Sequence, residues 1–436
     1  MRRYAIIGAG VAGIAAAEAI RTLDRAAEIS LVGDEPQGFY SRPGLAYFLT
    51  GELPVKQLIL YSQQDWRGLN VRYVKGWATR LLPQAHQVEL GKAGALAYDR
   101  LLLATGASAV RLDVPGVELE GVVKLDHFED AQRILRLARR TRTAVVVGGG
   151  ITALELAEGL AAQKVKVNYF LRGDRYWSNV LDEVESRIVE HRLEEKGVQI
   201  HDHMEIAQIL GRRGRVSGVQ TTKGEKLRCG MVAVAVGIRP RLELAQAAGL
   251  ATERGILVNE YLQSSEVDIF AAGDVAQVYD PLAGRSILDN LWNPAREQGG
   301  AAGLNMAGQA RAYRKAIPFN VTRLAGLKVT IIGAVGGGRD DDLVAIARGD
   351  SETFRKLPQA IAMEMGAEVN HLRLMVGEGT LVGALVMGDQ TLSRPLQELI
   401  VAQADITALR THLLMPGASL GDLVMDFWKA WRTNAA

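Results

Sequence analysis

Short apolar runs alternate with stretches of helical periodicity along most of this chain. Residues 4–7 (Tyr-Ala-Ile-Ile) and 144–147 (Ala-Val-Val-Val) are unbroken apolar runs of strand length. Such runs mark strands covered on both faces. Each leads into clustered glycines and then into a segment with apolar residues at helical spacing. Residues 29–32 form another apolar strand, and residues 99–106, 231–237 and 267–274 form buried strands that end in tight turns. Strands interleaved with helical patterns predict parallel sheets built from strand–helix–strand units. From about residue 316 the character changes. A strand is expected over 328–333, and residues 372–376 and 380–387 flank Gly377-Glu378-Gly379, a hairpin turn signal. A C-terminal α+β domain follows from this. Near the end, Leu420, Leu423, Val424, Phe427, Trp428 and Trp431 fall on one helical face behind Ser419, a candidate N-cap. That face is expected to dock on this chain or on a sister subunit, which leaves peripheral membrane contact as the less favoured alternative.

The two glycine clusters carry the first chemistry. The first reads Gly8-Ala-Gly10-Val-Ala-Gly13 and the second Gly148-Gly-Gly150-Ile-Thr-Ala153. Both have the GxGxxG/A spacing between a strand and a helix that binds a dinucleotide. The first glycine permits a bend that a side chain blocks. The second lets a pyrophosphate approach the backbone, and the third position must be small so that helix and strand pack closely. The helix N-terminus presents unpaired N–H groups and a partial positive charge to the phosphates. Asp34 and Glu35 follow the next strand at the distance of a ribose-binding carboxylate, and the spacing does not choose between them. The expected fold class is α/β. Two three-layer, Rossmann-like nucleotide-binding domains are expected, the second inserted in the first, followed by the α+β domain. The boundaries expected are 1–115 with 245–315 for the first, 116–244 for the second and 316–436 for the third.

Composition narrows the partners. The 436 residues suffice for two or three cores, and a net charge of +2 without a basic tract argues against nucleic acid. The one cysteine, Cys229, cannot form an internal disulfide and precedes a buried strand, which favours packing over reactivity. Arg2 and Arg3 before an apolar run imitate a targeting signal, but the run is the first strand and its glycine turn. No long uncharged apolar stretch is present. A cytoplasmic setting is expected. Asp340 to Asp342 beside glycines read as a solvated loop, and no metal is expected.

In their order, these landmarks resemble the FAD-dependent pyridine nucleotide–disulfide oxidoreductase superfamily over roughly residues 1–310. Carrying the resemblance are the first glycine turn, Ala104-Thr105-Gly106, the second glycine turn and Ala272-Gly273-Asp274. Residues 39–51 (Phe-Tyr-Ser-Arg-Pro-Gly-Leu-Ala-Tyr-Phe-Leu-Thr-Gly) look like rubredoxin reductases and the flavin domain of assimilatory nitrite reductases. Residues 381–389 look more loosely like their C-terminal domain, which forms dimer contacts in relatives, so a homodimer is implied. The resemblance implies that Gly8, Gly10 and Gly13 hold an FAD pyrophosphate and that Asp34 or Glu35 takes its ribose. It implies that Arg42, Ala104, Thr105, Gly106, Gly273 and Asp274 line the FAD, with residues 291–299 near the flavin ring. Gly148, Gly150, Ala153 and Gly237 would hold NAD(P)H, and Glu155 matches a glutamate that reaches toward the flavin–nicotinamide contact.

Departures from the pattern are informative. The redox cysteines are missing; the single-cysteine position falls near Pro43-Gly44, which excludes disulfide exchange, sulfenate chemistry and sulfide:quinone chemistry. A lysine that pairs with the glutamate in ferredoxin reductases is absent, and Tyr47 falls close to its place. Leu171 stands where NAD-specific relatives carry an acid. With Arg172 and Arg175 nearby, a slight preference for NADPH is expected. The expected function is electron transfer from NAD(P)H through FAD to a small protein acceptor such as rubredoxin or ferredoxin. The alternatives are an NAD(P)H oxidase or quinone reductase, and an electron-input subunit of a larger redox complex.

Overall fold

The computed structural model describes residues 2–36, 38–281, 283–336, 361–367 and 370–435. Asp340 to Asp342 lie outside the described residues. The chain divides into two compact units, the first made of Met1–Val110, Asp126–Gln132 and Ile238–Ala316, the second of Arg111–Leu125, Arg133–Gly237 and Ile317–Ala436.

The first unit is built on a five-stranded sheet in the spatial order Ile269–Ala271, Arg100–Leu103, Arg3–Ile7, Glu28–Gly33, Arg72–Lys75. Every neighbouring pair is parallel. Residues 4–7 are buried on both faces, as their unbroken apolar run requires. Helix Val11–Leu23 packs against helix Trp292–Met306 at very short range. A Cβ added at Gly299 would lie 2.1 Å from the Ala12 carbonyl oxygen, and one at Gly303 2.4 Å from that of Ala16. Two glycines four residues apart on one helix therefore let the two backbones touch. This contact brings the strand-end turn at residues 272–274 and the first glycine turn into one layer.

The second unit repeats the plan with a five-stranded sheet in the order Val198–His201, Lys166–Phe170, Thr143–Val147, Met231–Val234, Val122–Val123. Its pairs are again all parallel. The change of character after residue 316 is a five-stranded antiparallel sheet. It runs Phe319–Leu324, Leu327–Gly333, Leu381–Met387, Asn370–Val376, Ile361–Ala367. The expected hairpin around residues 377–379 is the antiparallel pair Asn370–Val376 with Leu381–Met387. Helices Ser393–Val401, Thr407–Leu413 and Leu420–Ala435 join this sheet in one apolar core.

The last helix spends its apolar face on its own chain. Leu420 and Val424 are fully buried, and Leu423, Phe427, Trp428 and Trp431 pack against the same core. The Trp428 indole donates to Glu398 (2.8 Å), and Arg432 lies over the Trp428 ring. Ser419 stands just before the helix and donates its hydroxyl to Asp422. Among the described residues, no helix is long and apolar enough to cross a membrane.

This core should be sensitive to truncation. Leu396 is fully buried among these helices and strands. Leu396→Ala is expected to cost about 2–5 kcal/mol, the usual penalty for a cavity at a buried leucine. Denaturant unfolding would check this; a loss under about 1 kcal/mol would show that the site collapses freely or was never packed.

Candidate functional site

The two glycine turns have the same construction. Gly8 adopts φ +119°, and a Cβ there would sit 2.0 Å from the Ala104 carbonyl oxygen. Gly148 adopts φ +144°, and a Cβ there would sit 2.1 Å from the Ala235 carbonyl oxygen. In both, the first glycine is obligatory because the end of the neighbouring parallel strand occupies the space of a side chain. Gly10 has nothing within 4 Å of a would-be Cβ; in the second turn the open position is Gly149, one residue before Gly10's counterpart Gly150, which is buried. Each following helix, Val11–Leu23 and Ile151–Ala162, starts after a glycine N-cap with no side-chain cap and no acidic residue in its first turn. Its first N–H groups are therefore available to an anion. Open space above uncapped N–H groups is what a dinucleotide pyrophosphate needs, so both turns fit the group that the sequence implies.

The third position differs between the turns. A Cβ at Gly13 would lie 1.9 Å from the Gly8 oxygen, so only glycine fits there. In the second turn Ala153 is accommodated and fully buried. The second turn thus leaves room for a methyl group where the first leaves none.

The structure separates Asp34 from Glu35. Asp34 is exposed. The Glu35 carboxylate is engaged from three sides: Arg42 donates to it at 2.7 Å, the Tyr40 hydroxyl at 2.5 Å, and His127 Nδ1 lies at 3.3 Å. Burial works against the Glu35 charge, but the contacts with His127, Arg42 and Tyr40 outweigh it and hold the carboxyl below the usual range. Arg42 also donates to the Asp126 carbonyl at 2.5 Å and feels the charge of Asp274. Arg42, Glu35 and Asp274 therefore share one electrostatic neighbourhood.

The Ala104-Thr105-Gly106 turn, with Gly106 at φ +68°, is held by a residue without a motif. Arg241 donates to the Thr105 carbonyl (3.0 Å) and the Ser108 hydroxyl (2.7 Å), and its remaining nitrogen faces His127 at 3.3 Å. Gln298, fully buried in the 291–299 segment, accepts from the Gly273 N–H at 2.8 Å and so fixes the Gly273-Asp274 turn. Arg241 and His127 escaped the sequence reading, and Gln298 entered it only as part of the 291–299 segment, because each acts through contacts with residues distant along the chain.

Other candidates are placed as follows. Tyr47 lies on helix Gly44–Thr50 of the first unit and is exposed. Glu155 lies on helix Ile151–Ala162 of the second. Gly237 has φ +128°, two residues beyond Ala235. Leu171 is 1% exposed, so its side chain belongs to the core. Arg175 is spent on Asp174 at 2.7 Å, whereas Arg172 is exposed. Cys229 is buried in an apolar cluster, and burial pushes its thiol up to about 12, far from a reactive thiolate.

Known proteins share this plan. The chain is similar to an assimilatory nitrate reductase electron transfer subunit of Bacillus subtilis (strain 168), 28% identical over 96% of this chain. That match covers 52% of the Bacillus protein, so the chain spans about half its length. The chain is also similar to the ferredoxin–NAD(+) reductase component of a biphenyl dioxygenase system of Paraburkholderia xenovorans (strain LB400). There it is 33% identical, over 80% of this chain and 84% of the relative. Among solved structures, a ferredoxin reductase from Rhodopseudomonas palustris superposes with a TM-score of 0.85 at 22% identity, covering 97% of this chain and 100% of its own. With a family match across residues 2–299, this chain belongs to the pyridine nucleotide-disulphide oxidoreductase family.

Proposed function

We propose that this chain is an FAD-dependent reductase that takes a hydride from NAD(P)H and passes the electrons to a small redox protein of the ferredoxin or rubredoxin class. The observation that carries this reading is the duplicated turn: two uncapped helix starts behind an obligatory first glycine, one in each unit. In this reading the first turn holds the flavin nucleotide, with Arg42, Thr105, Gly106, Gly273 and Asp274 around it, and Asp34 at the ribose. Glu35 orients Arg42 in place of binding the ribose. The second turn, with Gly150, Ala153 and Gly237, holds the nicotinamide nucleotide. Bound flavin supplies the conversion of a two-electron hydride donor into single-electron transfers. The chain's own residues supply positioning: the glycine turns set the nucleotides, while Arg241 and Gln298 fix the turns that line the flavin.

The likeness to a ferredoxin–NAD(+) reductase component supports a protein acceptor. A second reading, an electron-input part of a larger assembly, is supported by the match of nearly the whole chain to about half of the longer nitrate reductase subunit. Purified, flavin-loaded protein should reduce cytochrome c with NAD(P)H only when ferredoxin or rubredoxin is added. Rapid electron transfer to dioxygen or a quinone, with no gain from either protein, would contradict the proposal.

Thiol chemistry has no part in this reading. Cys229→Ser is expected to keep its flavin and its turnover, and Cys229 should resist alkylation until the protein unfolds. A folded, flavin-loaded variant with a large loss of turnover would refute that.

The nucleotide preference rests on Arg172. Its guanidinium is exposed and uncommitted, while Arg175 is neutralised by Asp174. A charge-assisted contact with a 2′-phosphate is worth about 1.5–3 kcal/mol. Arg172→Ala should therefore weaken NADPH by roughly tenfold to a hundredfold while NADH changes little. Because that phosphate is remote from the hydride, the effect belongs in the Michaelis constant. Equal losses for both nucleotides would show that Arg172 does not read the ribose.

A further inference from the structure

The second unit buries a complete ionic fork between two regions far apart in sequence. Arg373, on strand Asn370–Val376, is 2% exposed, and Glu185, in the first turn of helix Glu183–Glu195, is 0% exposed. Arg373 Nε donates to Glu185 Oε1 at 2.8 Å and Nη2 to Oε2 at 2.9 Å. The remaining donors reach two backbone carbonyls, Val180 at 2.8 Å and Val335 at 2.9 Å. Glu185 also accepts from the Asp182 N–H at 3.0 Å, closing a capping box with Asp182. Asp182, Glu185 and His371 are close enough together to suggest a cation site. The guanidinium already occupies that place, so the charge they hold is Arg373.

A buried pair of this kind adds little stability over an apolar pair of equal volume. What it adds is direction: a planar fork fixes its acceptors in angle as well as distance. Two of the acceptors here, Val180 and Glu185, stand at the end of the segment 171–182 and in the first turn of the helix that follows it. That segment leaves strand Lys166–Phe170 and carries Arg172 and Arg175. It then turns back so that the Trp177 N–H donates to the Gly149 carbonyl of the second glycine turn at 3.1 Å. Trp177 is 2% exposed and holds φ +49°, a left-handed conformation that a bulky residue keeps only when its surroundings enforce it. Tyr176 is tied to helix Glu183–Glu195 through Glu190 and Ser186. Arg373, from the C-terminal domain, holds both Val180 and the start of that helix; His371 also lies 3.3 Å from Glu185, and Arg192 farther along the helix donates to the Ala325 carbonyl at 3.3 Å.

We propose that Arg373 is a positioning residue for the nicotinamide nucleotide. Through Val180 and Glu185 it fixes the segment that packs against the second glycine turn, so the C-terminal domain sets nucleotide affinity without touching the nucleotide. The inference rests on the reading of the second turn as the NAD(P)H site. Releasing the fork lets the segment sample arrangements that do not bind, and apparent affinity falls by the fraction of time spent there.

The test uses full-length, flavin-loaded protein, with NADH and NADPH as probes and three readouts: flavin content, thermal midpoint, and the dissociation constant and limiting rate of flavin reduction. Arg373→Met should lower the midpoint, because it strands a buried carboxylate, and raise the dissociation constant about tenfold. Arg373→Met combined with Glu185→Gln removes that stranded charge and keeps the capping box. It should recover most of the midpoint, keep its flavin, and still bind nucleotide about tenfold more weakly, with the limiting rate within about twofold of wild type. Arg373→Lys, which keeps the charge but not the fork, should fold and shift the dissociation constant the same way. Stability restored together with wild-type affinity in the double variant would overturn the proposal and leave Arg373 a purely structural residue. Wild-type protein that binds neither nucleotide would remove the reading of the second turn, and this inference with it.

Discussion

A missing Cβ at two positions underlies the rest of this structure. At Gly8 and Gly148 the backbone comes so close to the end of the adjacent parallel strand that the carbonyl oxygens of Ala104 and Ala235 fill the side-chain position. Any larger residue would force the strand and the turn apart. That single contact fixes where the following helix starts and where its first N–H groups point. It also fixes which second loop faces the turn: Ala104-Thr105-Gly106 in the first unit and the stretch ending at Gly237 in the second. Gly299 and Gly303 apply the same rule between helices, letting residues 292–306 press against the helix that follows the first turn.

The parts that were legible in sequence are those set by local geometry. Apolar runs at residues 4–7, 144–147 and 231–234 became parallel strands, and the glycine spacing became two turns of matching construction. The turn at residues 377–379 became a hairpin and the Trp-rich face a packed helix. Each of these is decided within about ten residues by periodicity, turn chemistry or a glycine that nothing else can replace. Membership of the family follows from the same local signals, since their order along the chain is part of the signature.

The parts that were not legible depend on contacts between distant residues. Asp34 and Glu35 are equivalent by spacing, and only the arrival of Arg42, Tyr40 and His127 separates an exposed acid from a committed one. Residues 126–132 join the first unit although both neighbouring stretches belong to the second, and nothing in their composition announces it. Leu171 holds the strand-end place where NAD-specific relatives carry an acid, and only the fold shows that its side chain turns into the core and leaves Arg172 outside. The Arg373–Glu185 fork joins residues 188 positions apart and has no periodicity to betray it. Ionic pairs at such separation become visible only when the fold has brought the two elements together.

The central claim is that one chain holds two different nucleotides on two turns of the same design. An anaerobic titration of the purified yellow protein tests it most directly, with NADH and NADPH added in turn while flavin absorbance is followed. The account predicts one flavin per chain, bleached by one equivalent of reduced nicotinamide nucleotide and restored by a protein acceptor. A flavin that stays oxidised in excess of both nucleotides, or a chain that purifies without flavin and cannot be loaded with it, would contradict the account.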